Sequence, residues 1–151
     1  MNERQESGTG PDKTEVRIRL LSSADGQQMD REMPGVLIEK GSWLYLRYEE
    51  PEEAQMGRTT TTVRLHPEEV RIIRHGDVSF EQTFAAGRKH VGYMDTPHGR
   101  MELETLTQSV ELKRPAAGRA LPLEASWCYE LTAMGEAAGG FEVRLQVTAG
   151  T

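Results

Sequence analysis

Four separate stretches of this chain alternate apolar and polar residues with a period of two, and that pattern rules out most ways of folding it. Val16, Ile18 and Leu20 are interleaved with Glu15, Arg17 and Arg19. Val78, Phe80, Gln82 and Phe84 are interleaved with Ser79, Glu81 and Thr83. Leu121, Leu123, Ala125, Trp127, Tyr129 and Leu131 alternate with polar or small residues, and so do Phe141, Val143, Leu145 and Val147. Successive side chains of a strand point to opposite faces, so each stretch reads as a strand with one face on a core and the other in water. Helical stripes are scarce. Pro51–Met56 and Met134–Ala138 are each expected to make at most one helical turn.

Short turn signals separate the runs. Gly41-Ser42 divides Val36–Lys40 from Trp43–Glu49, and His66-Pro67-Glu68 divides Gly57–Leu65 from Glu69–His75. Gly76-Asp77, Ala85-Ala86-Gly87, Thr96-Pro97-His98-Gly99 and Gly139-Gly140 punctuate the rest. Such even spacing predicts a meander of about ten strands, a number at which a sheet must curl or close. Within Arg100–Lys113, Met101 and Leu103 have one parity while Leu106, Val110 and Leu112 have the other. A bulge near Thr105 is expected to re-aim the side chains there. The expected fold is all-β: a small, closed, antiparallel up-and-down barrel of about 8–10 strands. Residues 1–14 are polar, carry glycine and proline, and read as a flexible arm before a barrel domain at 15–148.

Composition excludes several function classes. The net charge of −6 argues against nucleic acid and against an anionic membrane surface as partners, since both are bound through basic faces. The longest apolar runs are too short to span a bilayer as a helix. Cys128 is the single cysteine, so no disulfide forms within the chain. A cytoplasmic setting is expected. His66, His75, His90 and His98 lack metal-ligand spacing, although His66 and His75 end neighbouring strands and could meet. No metal, cofactor or catalytic residue is expected on these grounds.

Four residues stand out as ligand-binding candidates. Arg74 shares parity with Val70 and Ile72 and, if it points inward, needs either a protein carboxylate or an anionic ligand as partner. Tyr48 and Tyr93 can pack their rings while bringing a hydroxyl to a cavity wall. His98 sits on a turn at a barrel rim. Arg47 has the same ambiguous facing as Arg74. The acidic stretch Glu49–Glu53 reads as a solvated loop around Pro51, and Glu102 and Glu104 read as outward-facing.

The ordered segments Gly41–Glu50, Thr60–Leu65, Arg71–Gly76 and Gly92–Gly99, with Tyr93, Thr96-Pro97 and Gly99 as the most specific part, resemble the YwiB-like proteins of Gram-positive bacteria. The likeness covers Glu15 to Val147. It implies a calycin-like, lipocalin-like barrel and a cytoplasmic bacterial setting, and it implies no assigned activity. Function is therefore left unknown, with a binding module for a small apolar or anionic ligand as the leading expectation. The alternatives are a protein-interaction module using the barrel surface, or an enzyme whose Tyr93, Arg74 and His98 meet at the barrel mouth.

Overall fold

In the computed structural model, which describes residues 12–116, 119 and 121–150, the chain is almost entirely strand. The strands are β1 (Asp12–Ala24), β2 (Gln27–Lys40), β3 (Trp43–Glu49), β4 (Thr59–His66), β5 (Glu69–Gly76), β6 (Phe80–Ala85), β7 (Lys89–Thr96), β8 (Gly99–Lys113), β9 (Leu123–Ala133) and β10 (Glu136–Ala149). They form one antiparallel sheet in the order β6-β5-β4-β3-β2-β1-β10-β9-β8-β7, curled into a nearly closed barrel. Residues 1–11 of the expected arm lie outside the described residues. Asp12 to Thr14 do not extend that arm, because they pair with Leu37 to Glu39 of β2.

The alternation read from the sequence becomes a set of rungs across the sheet. Leu44, Leu65, Val70 and Phe84 stand side by side on β3 to β6, and so do Leu46, Val63, Ile72 and Gln82. On the opposite wall Ile18 pairs with Val147, and Val147 with Leu123. Ile18, Leu46, Leu65, Leu145 and Val147 are completely buried. Each such side chain contributes about 1.5–3 kcal/mol on leaving water.

Two turns share a local geometry, and one of them departs from expectation. Met134-Gly135 has φ of +52° and +81°, and Asp25-Gly26 has +50° and +80°. Two consecutive left-handed residues make the tight turn whose twist matches a β-hairpin. Met134–Ala138 is therefore a hairpin and not a helical turn, with Glu136 paired to Ala133. Pro51–Met56 does contain a single 3-10 turn, Glu52–Ala54. The phase change in β8 is a bulge, placed between Thr107 and Ser109 and thus C-terminal to Thr105. It keeps both Thr107 and Val110 on the inner side.

The barrel closes unevenly. β1 and β10 share a continuous ladder from Val16–Ala149 to Ser23–Glu142. Between β6 and β7 there is a single bridge, Ser79–Asp95, with N–H···O distances of 2.9 and 2.8 Å. Further along this seam, the Thr105 hydroxyl lies 3.5 Å from both the Thr83 and the His90 carbonyl oxygens. Gly92 sits so close that a Cβ there would lie 2.8 Å from the Glu81 carbonyl. Native-state hydrogen exchange should show the consequence. Amides in the β1–β10 ladder will be the most protected, and seam-facing amides of β6 and β7 will exchange at least about tenfold faster. Equal protection would mean that a full ladder spans the seam.

Candidate functional site

Two residues further along the inner parity from the Leu46 rung, the sheet turns polar. Tyr48, Thr61, Arg74 and Phe80 are cross-strand partners on β3, β4, β5 and β6. All four face inward. Arg74 thus resolves to the interior, whereas Arg47, on the opposite parity, is exposed.

The charge of Arg74 is met by Glu50, which follows Tyr48 by two residues and so shares its face. Arg74 Nε donates to Glu50 Oε2 at 3.4 Å, and the two side chains are 16% and 4% exposed. The Thr61 hydroxyl donates to the same carboxylate oxygen. Reading Glu49–Glu53 as a solvated loop is therefore corrected at Glu50. The Glu50 N–H still donates to the Thr59 carbonyl at 2.9 Å, which extends the β3–β4 pairing one step and keeps the side chain inside. The parity of Leu44, Leu46 and Tyr48 was the signal that could have placed it.

Beside this pair is a partly open cavity of about 130 Å³ reaching into the barrel. Its wall combines apolar groups, among them Leu20, Val63, Ile72 and Phe84, with Tyr48, Arg74, Gln82, Trp127 and Tyr129. Glu50 is not part of that lining. Phe84 packs against Trp127 and Tyr129 with ring centroids 5.7 and 4.6 Å apart, so aromatic rings bridge the barrel. Two features leave donors without acceptors. Among the described residues the Arg74 guanidinium donates through Nε alone. The Trp127 Nε1–H is buried and has no hydrogen-bond partner. Wider depressions, of about 530 Å³ beside Trp43 and His66 and about 500 Å³ beside Asp30 and Arg144, contain no buried ionisable side chain.

The four candidates separate into two pairs. Tyr48 and Arg74 meet at the cavity. Tyr93 does not line it: on β7 the odd positions face out, and the ring is 49% exposed beneath the Arg100 guanidinium at 4.6 Å. His98 is exposed on the β7–β8 turn, where its N–H donates to Thr96 Oγ1 at 3.1 Å. Tyr93, Arg74 and His98 are thus not assembled into one site. His66 and His75 also stay apart, because an antiparallel hairpin puts them at opposite ends, beside Glu69 and Thr60. Among the described residues no group of three or more His, Cys, Asp or Glu is placed to hold a metal ion.

Both cavity tyrosines are neutral phenols over the ordinary pH range. Burial raises Tyr48 well above the usual phenol value, and the charge of Glu50 raises it further, while Arg74 pulls it back. Burial pushes Tyr129 up to about 12, again partly offset by Arg74. The folded chain therefore holds these protons more tightly than the unfolded one. The resulting stability is complete below pH 10.0 and, for Tyr129, is lost as pH rises to about 12. Each tyrosine adds a slope of about 1.4 kcal/mol per pH unit in that window. In urea unfolding measured across it, Tyr129→Phe should remove one proton's worth of slope. An unchanged slope would mean that the phenol is solvated in the folded state.

Comparison with known proteins agrees with this architecture. The uncharacterized β-barrel protein YwiB of Bacillus subtilis is 28% identical over 98 residues, which is 64% of this chain and 68% of that protein. The crystal structure of the ywiB protein from the same organism superimposes with a TM-score of 0.77 at 21% identity, covering 96% of this chain and 99% of that one. Residues 14–145 match the family described as a domain of unknown function, DUF1934. The chain belongs to that family.

Proposed function

We propose that this domain is a binding protein that takes one small, partly apolar molecule into its barrel. The observation that carries the reading is the cavity, apolar over most of its wall but edged by Arg74, whose Nη groups have no protein acceptor among the described residues. The size sets the scale. An apolar cavity of about 150 Å³ accommodates benzene, so the occupant here has about six heavy atoms. That is well below the 300–1,000 Å³ of sites for drug-sized ligands. A cytoplasmic setting is part of this proposal, supported by the single cysteine and the acidic composition. Among the described residues no helix is long and apolar enough to cross a membrane.

A second reading, a protein-binding outer face, rests on a different observation. The exposed large hydrophobic side chains among the described residues are Val91, Tyr93, Leu106 and Met134, all on β7, β8 or the β9–β10 turn. They are interspersed with Lys89, Glu102, Glu104 and Arg100, and Lys89 and Arg100 already pair with Glu104 and Asp95.

Tryptophan fluorescence tests the first reading. In a Trp43→Phe variant Trp127 is the sole indole. A fraction of small molecules extracted from a native source should change its emission saturably, with one site per chain. Val143→Leu, which adds a methylene to the cavity wall, should weaken that response at least about tenfold. A response that survives Val143→Leu undiminished would place the binding elsewhere.

A further inference from the structure

The inference concerns the same cavity and rests on the binding reading above. It fixes the charge of the occupant. An arginine facing an apolar cavity suggests at first an anion. Here, however, the guanidinium is already matched by Glu50, which stands behind it at 3.4 Å with a side chain only 4% exposed. The pair is neutral as a unit. Thr61 donates its hydroxyl to the same carboxylate. An anionic ligand would bring a second negative charge against one guanidinium that Glu50 already neutralises. A cation would face a lining that contains Arg74 and no carboxylate.

What the lining does offer is donors. Arg74 retains the N–H groups of its two Nη atoms, and Tyr129 keeps its phenol proton throughout the ordinary pH range. We infer that the cavity selects an uncharged, compact molecule of about six heavy atoms that carries a strong hydrogen-bond acceptor, such as a carbonyl or amide oxygen, with a branched aliphatic or aromatic body. The acceptor sits against Arg74 and the body against Val63, Ile72 and Phe84.

Isobutyramide and isobutyrate are near-isosteres that differ in charge, which makes them the decisive probes, with benzene as a purely apolar third. Ligand-observed NMR titrations at neutral pH should show wild-type protein binding isobutyramide at least about tenfold more tightly than isobutyrate. Glu50→Gln keeps an oxygen acceptor for Thr61 and Arg74 but leaves the arginine charge unmatched. In that variant the preference should shift at least about tenfold toward isobutyrate. The wild-type comparison decides the sign by itself, so the inference stays testable if Glu50→Gln fails to fold. Isobutyrate binding as tightly as the amide, a folded Glu50→Gln with unchanged preference, or benzene binding without the amide would each overturn the neutral-acceptor inference and leave the cavity reading standing. No saturable binding of any of the three would overturn the cavity reading and this inference with it.

Discussion

The backbone ladder between β1 and β10 joins the two ends of the folded chain at the middle of the sheet, and the rest of the molecule is arranged around that pairing. A meander closes into a barrel only if its first and last strands meet, since otherwise two long edges remain open to other chains. Here they meet over the full run from Val16–Ala149 to Ser23–Glu142. The discontinuity moves instead to β6 and β7, which follow each other in sequence. The chain between them explains why they do not form a hairpin ladder. The Gly87 N–H donates to the Thr107 carbonyl at 2.8 Å, and the Arg88 carbonyl accepts from the Thr107 N–H at 3.1 Å. The connecting segment therefore spends its backbone groups on β8, and β6 and β7 are left with one bridge, a close glycine contact and the Thr105 hydroxyl.

Inside this frame the buried charges of Arg74 and Glu50 run against the usual economy of a core. Replacing such a pair by well-packed apolar residues is often neutral or stabilising, while removing one partner costs about 3–5 kcal/mol because the other is stranded. The pair is thus poorly explained as a stabilising device. The Tyr48–Thr61–Arg74 rung supplies one layer around it and Glu50 the next. Thr59, also buried, ties the neighbouring loops together, donating to the Met56 carbonyl at 2.6 Å and accepting from the Val78 N–H at 3.1 Å. The loop that carries Glu50 back toward β4 is consequently fixed on both sides.

Much of this was legible in the sequence because side-chain direction in a strand depends on parity alone. Gln82 already stood among Val78, Phe80 and Phe84 as an inward residue, and Trp127 and Tyr129 among their apolar partners. Parity failed where the chain leaves ideal strand geometry or where local composition argued the other way. The acidic residues around Pro51 look like a solvated loop, yet the strand direction persists through Glu50. Asp25-Gly26, a strong hairpin dipeptide, marks the β1–β2 turn, but the polar residues from Gln27 to Glu32 hide the strand that follows it. Tyr93 was misjudged because an aromatic ring suggests the core, whereas β7 turns that parity outward and Arg100 covers part of the ring. Contacts across the barrel, such as Arg74 with Glu50 or Phe84 with Tyr129, depend on three-dimensional closure and have no local signature.

The size of the cavity follows from what fills the rest of the barrel. A small barrel has an interior just wide enough for its own side chains, and a sizeable ligand space requires small residues on facing strands. Here Phe84, Trp127 and Tyr129 reach across the interior, and Phe141 stacks on Tyr129 at 5.2 Å with planes 10° apart. The remaining space is narrow and set against the rung that carries Arg74. In a space this small, shape separates candidate ligands only weakly, because many compact molecules have similar volumes. Charge and hydrogen bonding separate them strongly, since a charge or acceptor without its counterpart is penalised far more than a missing methylene. In the proposed binding role, the chemistry of the Arg74–Glu50 pair, more than the dimensions of the barrel, is therefore what selects the occupant.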